Sequence, residues 1–130
     1  MWYQFCENPR SITEIFGNEP VGNPVEIHSV RLHQDGPLIQ LQIELPTFPE
    51  KQQPRWPIGA NTLQVELDLW GVTSFEQVGW GTSNIGVLSL EREDALKFTF
   101  VSNHSKFSGS CIVARIGKVS AYINGSKEKV

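Results

Sequence analysis

Ile39-Gln40-Leu41-Gln42-Ile43-Glu44-Leu45 and Leu63-Gln64-Val65-Glu66-Leu67-Asp68-Leu69-Trp70 decide the fold class. Apolar and polar residues alternate in both. Successive side chains on a strand point to opposite faces, so this period of two predicts two half-buried β-strands. Their apolar residues face a core. Gln40, Gln42, Glu44, Gln64, Glu66 and Asp68 share the other parity, with Trp70 at the end.

Further strands extend outward from this pair. Val25 to His33 is rich in β-formers, but its apolar parity changes between Ile27 and Val30, which a bulge would restore. Gln34-Asp35-Gly36-Pro37 reads as the turn into the first quoted stretch. Phe75 to Gly79 reads as a short strand, and Gly86–Glu91 with Leu96–Val101 as a hairpin turning at Glu93-Asp94. Phe107 to Ile116 carries apolar residues on both parities, which predicts a strand covered on two sides. Val119, Ala121 and Ile123 close the series. Upstream, Asn8 can cap a helix that has Pro9 at its first position, Ser11-Ile12-Thr13-Glu14 reads as a capping box, and Gly17 can end it. Trp2 and Phe5 are expected to anchor this segment.

Composition agrees. Ile, Val and Thr total 27 residues against four Ala and one Met, and 11 Gly and eight Pro punctuate the chain. Branched side chains favour strands, and the best helix formers are scarce. The expected fold is mostly β, an antiparallel sheet forming a sandwich or half-open barrel with one short N-terminal helix. Residues 1–130 read as a single domain, with its core over 2–123 and a flexible tail over 124–130.

Several function classes lose support. The longest strictly apolar run is four residues, Cys111 to Ala114, far short of the roughly 20 of a membrane-spanning helix. The N-terminus lacks the basic and apolar regions of a signal peptide, so a cytoplasmic protein with two reduced cysteines, Cys6 and Cys111, is expected. No phosphate-binding loop, zinc-protease motif or serine elbow occurs. His28 and His33 are five apart and point to opposite faces of a regular strand, a poor metal pair. No catalytic, metal or cofactor residue is predicted, and nucleic-acid binding has no basic stripe to support it. Charge is nonetheless uneven. Residues 1–95 carry 5 basic and 13 acidic side chains, and residues 96–130 carry 6 basic and 1 acidic.

The remaining candidates are surfaces. Glu44, Glu66 and Asp68, with Trp70, make an acidic face suited to a basic partner. Pro46 to Ala60 contains four prolines with Arg55 and Trp56, and reads as an ordered loop whose indole is a plug or a contact anchor. Trp80 lies between Gly79 and Gly81, which predicts a tight corner with the indole packed inward. Two other readings stay open: a module binding a small ligand or carbohydrate on Trp56, Trp70 and Trp80, and a hydrolase built on Glu44 and Glu66.

Local patterns along the chain carry a resemblance. Trp2-Tyr3-Gln4-Phe5, Ser11-Ile12-Thr13 and Ile15-Phe16-Gly17 open it. His28-Ser29-Val30-Arg31-Leu32-His33 and Asp35-Gly36-Pro37 follow, then Pro54-Arg55-Trp56, Asn61-Thr62-Leu63-Gln64 and Gly79-Trp80-Gly81-Thr82. In order and spacing these resemble the immunity protein 50 family of bacterial polymorphic toxin systems, over residues 2–123. The resemblance implies a small, mostly β cytoplasmic protein encoded beside a toxin. That protein would bind the toxin domain and block it without catalysis. It implies no contact residues.

Overall fold

The computed structural model describes residues 1–17 and 19–125. A 3₁₀ turn over Trp2–Phe5 and helix α1 (Arg10–Phe16) precede eight strands. These are β1 (Val25–His33), β2 (Leu38–Glu44), β3 (Thr62–Trp70), β4 (Ser74–Val78), β5 (Ile85–Arg92), β6 (Leu96–Ser102), β7 (Lys106–Cys111) and β8 (Val113–Tyr122). They form one antiparallel sheet in the order β4-β7-β6-β5-β1-β2-β3-β8. The expected mostly β fold with a short N-terminal helix is the observed one. Among the described residues no helix is long and apolar enough to cross a membrane.

The sheet has two halves. β5 and β1 pair only through Val25 with Gly86 and Glu26 with Ile85. On the other side the chain itself joins them: β3 runs through residues 71–73 into β4, and β7, which pairs with β4 and β6, runs through Ile112 into β8, which pairs with β3. A strand that changes partners at a bend makes the corner of a folded sheet. Ile112 donates its N–H to the Trp70 carbonyl at 2.9 Å and lies 68% exposed. Gly71 faces it with φ +69°, and a Cβ there would stand 2.7 Å from Ile112 Cδ1, so a side chain at this position would be strained.

This corner corrects one expectation. Phe107 to Ile116 is not one strand covered on both sides. Phe107 and Cys111 are buried on β7, then Ala114 and Ile116 on β8, because the inward parity switches at Ile112. It switches again where Val65 pairs with Val119 but Leu67 with Ile116, a bulge at Gly117-Lys118. Val119 to Tyr122 therefore continues β8 instead of forming a separate strand.

Both halves line one core. Leu41, Ile43, Leu63 and Leu67 from one half join Leu88, Leu96, Phe98 and Phe100 from the other. Phe98, Phe100, Phe107 and Phe75 form a ring cluster with centroids 5.2–6.4 Å apart. Trp2, Tyr3, Ile12 and Phe16 join from the N-terminal segment, and Trp2 Nε1 donates to the Gly22 carbonyl at 2.7 Å. Trp2 is thus the expected anchor. Phe5 is not, at 40% exposed, and Tyr3 takes that place. Helix α1 starts at Arg10, with Pro9 at the N-cap and no side-chain cap. The Asn8 amide goes to the sheet instead, donating to the Ile116 carbonyl and accepting from its N–H, both at 2.7 Å. The capping box does not form either: Glu14 pairs with Arg10 at 2.8 Å. Gly17 ends the helix at φ 64°, as expected.

Other local expectations hold. β1 has its register shift between Ile27 and Ser29, which leaves His28 as the extra residue. The β5–β6 hairpin turns at Glu93-Asp94-Ala95. The proline-rich segment is ordered by its own bonds, such as Gln52 Nε2 to the Pro57 carbonyl at 2.8 Å. Trp56 packs on Phe48 with centroids 5.4 Å apart, against the core. Asn124 is tied to Asn61 by two bonds of 2.8 and 3.0 Å; positions 126–130 of the expected tail lie outside the described residues.

Trp80 differs from expectation. The corner is tight, since a Cβ on Gly79 would stand 2.4 Å from the His104 carbonyl oxygen. The glycines close on that loop, and the indole turns outward, 47% exposed. Phe98→Ala should therefore cost about 3–5 kcal/mol in urea unfolding, whereas Trp80→Ala should cost less than about 1 kcal/mol.

Both cysteines are free and buried. Burial pushes the Cys6 thiol up to about 12, with Cys111 beside it adding to the effect. Burial raises Cys111 to about 11, partly offset by Arg92. The thiolate is the reactive form, so at pH 8 neither should react with a disulfide reagent until the protein unfolds. The folded state also holds protons that the unfolded state releases above pH 9. The stability from this source is complete below pH 9 and is lost between pH 9 and 12. A Cys6→Ala variant should show a shallower loss over that window.

Candidate functional site

The half-sheet β1-β2-β3-β8 turns its polar parity outward. The register sets Gln40 opposite Asp68, Gln42 opposite Glu66, Glu44 opposite Gln64 and Leu38 opposite Trp70. The two stretches that decide the fold are thus neighbours, and their polar residues share one surface.

Glu66 and Asp68 are half-buried. Gln40 Nε2 donates to both, at 3.4 Å to Glu66 Oε1 and 3.1 Å to Asp68 Oδ1. This shared amide holds two like charges in place beside each other. Opposite them, β8 bulges at Gly117, where a Cβ would stand 2.7 Å from Glu66 Oε1 and 3.2 Å from Asp68 Oδ2. The missing side chain leaves both carboxylates room. Arg115 is the register partner of Asp68, yet its guanidinium goes to Glu7 at 2.9 Å. Pairing β3 with β8 thus brings the acidic early part of the chain beside the basic late part. Trp70 ends the row at 39% exposed, over a Leu38 that is 8% exposed.

Glu44 has a different setting. It is 2% exposed, although it shares the outward parity. A buried carboxylate needs donors. His28 Nε2 approaches Glu44 Oε2 at 2.6 Å, and the Tyr122 hydroxyl donates to the same oxygen. Glu26 stands opposite Glu44 in register, with its Oε1 3.8 Å from His28 Nε2. His33, by contrast, turns to Gln40 at 2.7 Å. Sequence reasoning placed Glu44 on the acidic face, but its partners His28 and Tyr122 were missed. The parity change in β1 was the available signal for His28. Nothing local pointed to Tyr122, 78 positions away.

Arg55 and Trp56 lie on a separate surface. With Ile15, Pro54, Val119 and Ala121 they border a groove of about 610 Å³ between the proline-rich segment and β8. Arg55 is exposed and Trp56 half-buried. Trp80 borders another depression, with His28, Val30 and Leu32. The indoles of Trp56 and Trp80 therefore do not line a common cavity.

The fold defines a small, mostly β protein with a polar, carboxylate-bearing sheet face. The family model of immunity protein 50 matches residues 8–122, and the chain belongs to that family. Neither the search of curated proteins nor that of solved structures gives a match.

Tyr122→Phe removes a donor to a buried carboxylate and should cost about 1.5–3 kcal/mol in urea unfolding. Glu66→Gln, on the open part of the face, should stay within about 0.5 kcal/mol of the wild type.

Proposed function

We propose that this protein neutralises a cognate toxin of a bacterial polymorphic toxin system by stoichiometric binding in the cytoplasm, with no catalysis of its own. Family membership supports the immunity role. The epitope we favour is the outer face of β2 and β3, around Glu66, Asp68 and Trp70. One observation carries this choice: Gln40 holds two carboxylates side by side, and Gly117, lacking a side chain, leaves both partly exposed. Like charges on neighbouring sites of a sheet face cost stability, so an arrangement that preserves them favours use by a partner. Such a face speeds encounter with a basic surface, and a half-exposed indole beside it can become a buried anchor. Glu44 contributes from beneath, by fixing β1 and β8 against β2.

The test is charge reversal with the toxin encoded beside this chain. Glu66→Lys with Asp68→Lys should leave the fold intact. It should slow association roughly 10-fold or more at low salt, and less at high salt, where charges are screened. An unchanged association rate at low ionic strength would move the epitope to the groove at Arg55 and Trp56.

A further inference from the structure

Among the described residues, a close group of three ligand-type side chains lies where β1 bulges. We propose that Glu26, His28 and Glu44 form a binding site for a divalent first-row transition-metal ion, with Zn²⁺ as the probe. One donor atom from each residue lies within 4.8 Å of the other two. His28 Nε2 is 2.6 Å from Glu44 Oε2 and 3.8 Å from Glu26 Oε1. Ligands about 2.0–2.2 Å from a tetrahedral ion stand roughly 3.3–3.6 Å apart. The shorter separation would open, and the longer one close, by less than about one ångström to reach that range.

Five features favour an ion here. One imidazole with two carboxylates is a donor set for a borderline ion, not for Mg²⁺ or Ca²⁺, which take oxygen alone. The ligands are positioned in advance: Glu44 is fixed on β2, 2% exposed, with the Tyr122 hydroxyl on its Oε2 as an outer partner. The bulge supplies the nitrogen, since His28 is the residue added between Ile27 and Ser29, and bulges re-aim side chains. Access exists as well. A depression of about 210 Å³, bordered by Pro24, Glu26, Glu44, Pro46 and Ile85, reaches the two carboxylates. Two carboxylates opposed in register also favour a cation between them. A bound ion would tie the β1 bulge to β2 and, through Tyr122, to β8. None of this depends on toxin binding.

The experiment titrates chelator-treated full-length protein with Zn²⁺ by calorimetry and by thermal melting. We expect one Zn²⁺ per chain and a melting temperature raised by about 4 °C or more at a hundredfold excess over Kd. Glu26→Gln alters a half-buried side chain at the rim, 28% exposed, and His28→Ala removes one donor from Glu44 while Tyr122 keeps the other; both should fold, the second at a cost of stability that urea unfolding reads separately. Each should weaken Zn²⁺ binding at least about 10–100-fold, the range for losing even an outer partner. His33→Ala should leave binding unchanged. No binding, or binding that survives His28→Ala and Glu26→Gln, overturns the site. So does binding that His33→Ala abolishes. A readout without variants is Co²⁺ loading of the wild type: ligation in a site of low coordination number intensifies visible absorption relative to aqueous Co²⁺, and an unchanged spectrum also overturns the site.

Discussion

The structure depends on one change of partner. At Ile112 the chain leaves β6 and β4 and joins β3. Two halves whose strands pair elsewhere only through Val25 with Gly86 and Glu26 with Ile85 are thereby fastened at a second side. Their inner faces then enclose one core, and the phenylalanine cluster of one half packs into the same hydrophobic unit as the aliphatic rows of the other. Gly71 and Ile112 are the local condition for this. The bend needs a positive φ on one side and space for a branched side chain on the other.

The same corner positions the outer face. Because β8 continues past Ile112 alongside β3, its bulge falls opposite Glu66 and places a glycine there. Beyond that bulge the parity brings Tyr122 outward, over Glu44. The open carboxylate pair and the enclosed carboxylate are two results of one strand's path. Glu66 and Asp68 keep room beside them because β8 gives way. Glu44 loses its water because β8 supplies a hydroxyl in its place.

Much of this was legible in the sequence where a signal is local. Strict alternation identified β2 and β3 and the shared face of Gln40, Gln42, Glu44, Gln64, Glu66 and Asp68. The parity change in Val25–His33 gave the β1 bulge, and Glu93-Asp94 gave the β5–β6 hairpin. The failures occur where a tertiary partner outweighs a local preference. Asn8 is a good cap residue, but both sides of its amide bind Ile116. Trp80 between two glycines reads as an inward corner, but the glycines bring the backbone close to His104 and leave the indole outside. In Phe107–Ile116, apolar residues on both parities have two physical causes, two covered faces or a change of face, and spacing alone does not separate them. The setting of Glu44 was illegible for a similar reason, since its partners come from a bulge and from a strand far along the chain.

The N-terminal segment also sets an order of assembly. Glu7 donates its backbone N–H to Ala114, and Asn8 binds Ile116, while Trp2 and Tyr3 lie in the common core. The first dozen residues thus close onto a strand made more than a hundred positions later. β3, too, has no outer neighbour in the sheet until β8 arrives. Contacts of such sequence separation carry a large loop-closure cost and form slowly. During synthesis, the backbone at Glu7, the Asn8 amide and the open side of β3 must all wait for residues 113–122 to emerge. Over that interval they are the surfaces that a chaperone would have to shield.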